Sequence, residues 1–302
     1  MNLLTRSDFD GLACAALLYD IGVIDTWKFV HPKDIQDGLV AVTSNDVLAN
    51  VPYVEGCGLW FDHHESEDER VDAKTLQFEG SLAFLDSAAH VIYDYYKDAY
   101  DLSKFRIMLD AVDKVDSAKL SIDEILHPEG WIMLGYVMDP RTGLGRFRNF
   151  TISNYQLMEK LIDHCRTQSI EEIMLDPDVV ERVEVYNQQS VLFIDMLKTR
   201  SYTKGNVIVT DLRNVETIYA GNRFTIYSLY PEQNISIWIV DGRDKLNCPI
   251  AVGYSIINRS ATVNVGSILL SYGGGGHKQV GTCQVEYADC DKVVDELVEK
   301  LQ

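Results

Sequence analysis

In the first part of the chain, short apolar runs alternate with helical stretches, and acidic residues stand just beyond several of those runs. Nothing else in the sequence narrows the fold as much. The runs at 1–5, 26–30, 38–43 and 58–61 read as strands, and 11–19, 82–97 and 104–115 read as helices. This alternation predicts βαβ units and a parallel sheet covered by helices. In such a sheet, ligands bind outside the carboxyl ends of the strands. Acids that are remote along the chain are therefore expected to meet in one crevice.

The pattern changes twice further on. From 122 to 200 it is helical, with a break at Pro177 and a stretch at 179–198 long enough to connect two domains. Beyond Thr203-Lys204-Gly205, runs at 207–210, 224–229, 235–240 and 250–257 read as strands. A glycine run at 273–276 and an acidic amphipathic helix at 291–301 follow. A chain of 302 residues suits two domains. The expected class is α/β: a parallel-sheet N-terminal domain at 1–200 including a helical connector, then a smaller α+β domain at 201–302.

Charge limits the partners. Lys and Arg number 27 against 46 Asp and Glu, a formal net charge of −19. Proteins held to duplex DNA by broad phosphate neutralisation are basic, so any nucleic-acid substrate should be short and locally gripped. No apolar run approaches the roughly 20 residues that span a bilayer, and the first residues lack a signal-peptide pattern. Cys14, Cys57, Cys165, Cys248, Cys283 and Cys290 contain no C-x-x-C pair and suggest neither a disulfide framework nor a zinc ribbon. A cytoplasmic protein with reduced thiols and no membrane partner is expected.

The acids are placed unevenly. Asp8 and Asp10 follow the first run, Asp46 the third, and Asp62-His63-His64 the fourth. Taken singly, Asp8 and Asp10 read first as a solvated turn and Asp46 first as a helix cap, while 62–64 read equally as ligands or as a histidine held by a carboxylate. Taken together at successive strand ends, four carboxylates would repel unless a multivalent cation neutralised them. Mixed carboxylate and imidazole ligands suit Mn²⁺, Fe²⁺ or Zn²⁺. Two such ions about 4 Å apart would activate a bridging hydroxide and polarise a phosphoryl oxygen, the chemistry of phosphoester hydrolysis.

Ser7-Asp8-Phe9-Asp10-Gly11, then Asp46, then Asp62-His63-His64 resemble the successive motifs of the DHH phosphoesterases. Gly273-Gly274-Gly275-Gly276-His277 resembles the signature of the DHH-associated substrate domain. The resemblance spans nearly the whole chain and is nearest to the oligoribonuclease and exopolyphosphatase-related branch. It implies a hydrolase with two Mn²⁺ ions, Mg²⁺ or Co²⁺ being substitutes. The implied substrates are short oligonucleotides, small phosphorylated nucleotides or polyphosphate. Asp8, Asp10, Asp46, Asp62 and His63 would be metal ligands, with Asp62 and His64 in catalytic roles. For the fourth-motif ligand, Asp113 is preferred to Asp116 because it directly follows an apolar pair.

In the substrate domain, Arg259, Gly274, Gly275, Gly276 and His277 would hold a phosphate, the glycines through exposed main-chain N–H groups and Arg259 through its fork. The first motif departs from the family, whose histidine ahead of the first aspartate is absent from Leu3-Leu4-Thr5-Arg6. Arg6 would then pair with the carboxylates or meet a substrate phosphate. Arg141, Arg146 and Arg148 read either as a solvated loop or as contacts to distal phosphates. The expected function is metal-dependent hydrolysis of phosphoester or phosphoanhydride bonds in a cleft between the domains. The alternatives are an exopolyphosphatase and a non-catalytic phosphonucleotide-binding protein. A homodimer through the helix bearing Tyr93, Tyr95 and Tyr96 is compatible with the sequence.

Overall fold

A computed structural model describes residues 1–71 and 76–302. They form two compact units, one of residues 1–120 with 128–184 and the other of 121–127 with 185–302. The division falls inside the long helix at 177–200, ahead of its end at residue 200.

In the first unit, β1 (Asn2–Arg6), β2 (Thr26–Val30), β3 (Asp46–Ala49), β4 (Leu59–Asp62) and β5 (Gly80–Leu82) form a parallel sheet in the order β2-β1-β3-β4-β5. Its helices are α1 (Phe9–Asp20), α2 (Pro32–Gln36), α3 (Glu65–Val71), α4 (Ala88–Tyr96) and α5 (Arg106–Asp116). α6 (Ile122–Leu126) counts with the second unit. The first unit resumes with α7 (Gly130–Met138), α8 (Asn154–Thr167), α9 (Ile170–Ile173) and the start of α10 (Pro177–Arg200).

The third strand is not the one expected at 38–43. A central strand of a parallel sheet is covered on both faces and needs a continuous buried run. Asp46–Ala49 is buried at every position, whereas 38–43 is exposed or half-buried, with Val40 and Val42 resting on the edge of a core cluster. This shift decides where Asp46 lies.

α1 carries almost no polar face, because Phe9 through Leu18 are all buried. It packs against β1, α4, α5 and α8. Asp8 caps it, accepting from the Gly11 N–H at 3.0 Å. Gly11 is required by close approach, since a Cβ there would lie 1.9 Å from the Arg6 carbonyl oxygen.

The second unit has a mixed sheet. β6 (Ser201–Lys204), β7 (Val207–Asp211), β8 (Ile235–Ile239), β9 (Asn247–Tyr254), β10 (Gly275–Gly276) and β11 (Val280–Glu286) run in the order β10-β11-β9-β8-β7-β6. Only β7 and β8 pair in parallel among the described strands of this sheet. The remaining helices are α11 (Thr225–Leu229), α12 (Val265–Leu270) and α13 (Cys290–Leu301). Alternation divides the sheet's two faces. Val207, Val209, Ile237 and Ile250 pack with Val294, Leu297 and Leu301 of α13, while Ile208 and Trp238 face Phe193 and Leu197 of α10. The run at 224–229, expected as a strand, is α11. Its Ile226 and Tyr227 bury against Phe193 and Leu197, and the Tyr227 hydroxyl bonds Ser236 Oγ at 2.7 Å. Tertiary burial here outweighs the β preference of its side chains. Apart from the strand expected at 38–43 and this run, the α/β class of the first unit and the α+β class of the second are as the sequence implied.

Gly11→Ala should lower the unfolding free energy by about 2 kcal/mol or more, because a methyl driven into the β1 backbone cannot be relieved by a side-chain rotation. Urea denaturation measures it, and an unchanged midpoint would contradict the close approach.

Candidate functional site

The chain passes from β1 to β2 on one side, then returns to β3 on the other side of β1. A crevice opens where strand order reverses in this way, at the carboxyl ends of the strands. Asp8 lies two residues beyond β1, Asn50 directly follows β3, and Asp62 ends β4 with His63 next. α5 brings Asp116 to the same edge, and the start of α4 lies beside it.

Each carboxylate has its own surroundings. Asp8 Oδ2 forms an ion pair with Arg6, the Nε 2.9 Å away, and its Oδ1 accepts from Asn50 Nδ2 at 3.2 Å. Asp10 accepts from the first N–H groups of α4, Ala88 at 3.0 Å and Ala89 at 2.8 Å. A helix N-terminus favours such an anion. Asp62 accepts the His63 N–H at 2.7 Å and His64 Nδ1 at 2.7 Å, both on Oδ1. His63 Nδ1 lies 3.2 Å from the Leu85 carbonyl, which makes Nδ1 the protonated nitrogen. In the neutral ring this tautomer leaves Nε2 as the nitrogen with a lone pair. That atom is buried without a hydrogen-bond partner, 3.2 Å from Asp116 Oδ2 and 3.9 Å from Asp10 Oδ2.

Asp10, His63 and Asp116 thus offer ligand atoms within 4.8 Å of one another, as do Asp62, His63 and His64. Carboxylate oxygen and neutral imidazole nitrogen form a donor set for a divalent transition ion. The orphaned Nε2 beside two carboxylates fits such an ion better than it fits a hydrogen-bonded core. Burial raises the Asp10 carboxyl well above its ordinary range, and the Asp116 and Asp8 charges add to the effect. Burial also raises Asp8, with Arg6 opposing. A bound cation would reverse both shifts. Burial disfavours charge on His64, but the Asp62 carboxylate bonded to it dominates, and the imidazole is pushed up to about 9.

Two expected ligands lie elsewhere. Asp46 starts β3, in register with Asn2, so it sits at the amino edge of the sheet. The four residues to Asn50 span about 13 Å at the usual strand rise. Asn2 and Thr43 satisfy its carboxylate at 2.7 Å each. Asn50, with φ of +55°, occupies the strand end instead. Asp113 binds His90 Nδ1 and Ser87 Oγ, each at 2.6 Å, and so secures the start of α4. Asp116, one turn further on, is the residue that reaches His63. Arg141, one of the three loop arginines, lines the same small pocket as Asp8, Asp10 and Asp116, with its Nε on Asp139 at 2.7 Å.

In the second unit, the glycine run lines a shallow depression with Thr282, Cys283 and Gln284. Its main-chain donors are largely used within the unit. Gly273 donates to Leu270, Gly274 to Leu269, and His277 to Val280 at 2.8 Å. Gly274 and Gly276 are set by strand packing, since a Cβ would lie 2.2 Å from the Thr282 oxygen and 2.3 Å from the Val280 oxygen respectively. A Cβ on Gly275 would meet nothing. The His277 side chain is exposed, and Arg259 Nε bonds the Ile256 carbonyl at 3.0 Å. All six cysteines are free. Among the described residues no helix is long and apolar enough to cross a membrane.

No protein-family model matches the chain, and no curated protein sequence does. Solved structures do. The chain is 45% identical to the pGpG-specific phosphodiesterase PggH from Vibrio cholerae, over 99% of this chain and 98% of that one, with a TM-score of 0.89. An exopolyphosphatase-related protein from Bacteroides fragilis is 10% identical over 99% of this chain and 91% of its own, with a TM-score of 0.51. RecJ in complex with Mn²⁺ from Thermus thermophilus is 12% identical over 99% of this chain and 51% of its own, with a TM-score of 0.52. The last two share the fold.

The raised His64 group gives a stability signature in the metal-free protein. A folded-state value near 9 against 6.5 unfolded means the folded state holds the proton more tightly. The stabilisation is complete below pH 6.5 and disappears as pH rises through about 9. His64→Gln should therefore destabilise the protein at about pH 6 and match wild type near pH 10 in urea unfolding; a gap constant with pH would contradict the pairing. In the glycine run, Gly274→Ala should lower stability by about 2 kcal/mol and Gly275→Ala by less than about 0.5 kcal/mol.

Proposed function

The chain belongs to the DHH phosphoesterase family, and from that premise we propose that it is a metal-dependent phosphodiesterase that cleaves a short linear dinucleotide of the pGpG kind, with Mn²⁺ as its ion. The substrate follows from 45% identity over the full length to a pGpG-specific phosphodiesterase. The metal rests on one observation above all, the buried His63 Nε2 that has no hydrogen-bond partner and lies between Asp10 and Asp116.

Asp10, His63 and Asp116 would hold a divalent ion, which would supply Lewis acidity to a phosphoryl oxygen and acidify water. The chain's own groups do the rest. The Leu85 carbonyl fixes the His63 ring so that Nε2 is the coordinating atom. His64, charged through its Asp62 partner, carries a proton to the leaving 3′ oxygen. Arg6 and Arg141 offer forked donors to non-bridging oxygens. In the second unit, Arg259, His277 and the open surface at Gly275 would offer donors to a phosphate group. Water adds its oxygen to phosphorus, the 3′ oxygen departs with a proton, and pGpG becomes two GMP.

The test is incubation of the purified chain with pGpG and Mn²⁺. Two GMP per substrate are expected, with turnover abolished by chelation and restored by Mn²⁺. Asp116→Asn should lower kcat/KM by about 10²–10³-fold, and Asp113→Asn by much less. Release of orthophosphate from polyphosphate with pGpG untouched would overturn the substrate, and binding of pGpG without turnover would overturn the enzyme.

A further inference from the structure

We propose that the centre takes a single divalent ion, at Asp10, His63 and Asp116, and that the Arg6 guanidinium stands as the fixed positive charge at Asp8. The proposal rests on the hydrolase reading above and revises the expectation of two ions.

Asp8 and Asp10 are two residues apart, yet their surroundings differ in kind. Both oxygens of Asp8 are already engaged. Oδ1 accepts Gly11 N–H at 3.0 Å and Asn50 Nδ2 at 3.2 Å, and Oδ2 forms an ion pair with Arg6, its Nε 2.9 Å away. Asp8 is 5% exposed and the Arg6 side chain 34%, so water screens this ion pair only from the arginine side. An entering ion would have to displace the guanidinium and would meet its charge at contact distance. The neighbouring strand end supplies no further acid, because Asn50 is neutral and uses its amide to donate.

Asp10 has no Lys or Arg partner among the described residues. Its donors are two main-chain N–H groups and the weak Cys14 thiol, and it faces Asp116 and His63 Nε2, which has no hydrogen-bond partner. One side of the pocket is electrostatically complete and the other is not. Arg6 uses Nε on Asp8, and its two Nη groups have no protein acceptor among the described residues. They can hold a phosphoryl oxygen in the way a second ion would, without exchanging with solvent.

The experiment titrates the metal-free chain with Mn²⁺ and counts bound ions by atomic emission after gel filtration, with electron paramagnetic resonance on the same samples. One ion per chain and an uncoupled six-line spectrum are expected. Two ions per chain, or an exchange-coupled spectrum, would overturn the proposal. Arg6→Ala should keep one ion and lose about 100-fold in kcat, and millimolar guanidinium should restore at least a tenth of that loss. An ion pair serving only the fold would show no such rescue, so its absence would overturn the role of Arg6. The two readings fail separately. One ion without pGpG turnover would sink the proposed activity alone, and full turnover with two ions would sink this inference alone.

Discussion

Buried negative charges brought within a few ångströms of one another dominate this structure. Asp8, Asp10 and Asp62 are each at most 5% exposed and lie at one edge of one sheet, with Asp116 against them. Such a grouping is electrostatically uphill unless each member is offset. The fold offsets them with different means: a guanidinium at Asp8, a helix N-terminus at Asp10, an imidazole at Asp62. What these leave over is the space between Asp10, Asp116 and His63 Nε2, where the imidazole nitrogen has no hydrogen-bond partner. The chemistry of the site follows from that deficit.

The geometry around the deficit is held by groups that never approach it directly. The Leu85 carbonyl determines which nitrogen of His63 is a donor and which a ligand. Asp113 fixes Ser87 and His90, and so aims the start of α4 at Asp10. These contacts explain why acids next to the centre are not equivalent. Asp113 and Asp116 lie one helical turn apart, and only the second faces the pocket.

Much of this is legible in the sequence. Asp8, Asp10, Asp62 and His63 follow strands whose apolar runs are unambiguous, and the order of those strands is enough to bring them together. Asp46 is misplaced by local pattern because two valine-bearing runs, at 40–42 and 47–49, compete for the third strand, and only burial on both faces decides between them. Moving the strand carries Asp46 from one edge of the sheet to the other and puts Asn50 in its place. Asp113 against Asp116 depends on how α5 is rolled about its axis, which local pattern does not fix. The glycine run reads as an anion cradle, whereas Gly274 and Gly276 answer to the close packing of β10 on β11. That demand comes from chain segments meeting in space and leaves no local trace.

The Asp10 bonds to Ala88 and Ala89 join residues 78 and 79 positions apart. During synthesis on the ribosome, the amino-terminal strand and its aspartates emerge long before their donors. Until the start of α4 leaves the exit tunnel, this acid lacks the main-chain donors that hold it in the folded centre. Asp10, His63 and Asp116, which come together in the folded centre, can meet only after α5 has been made.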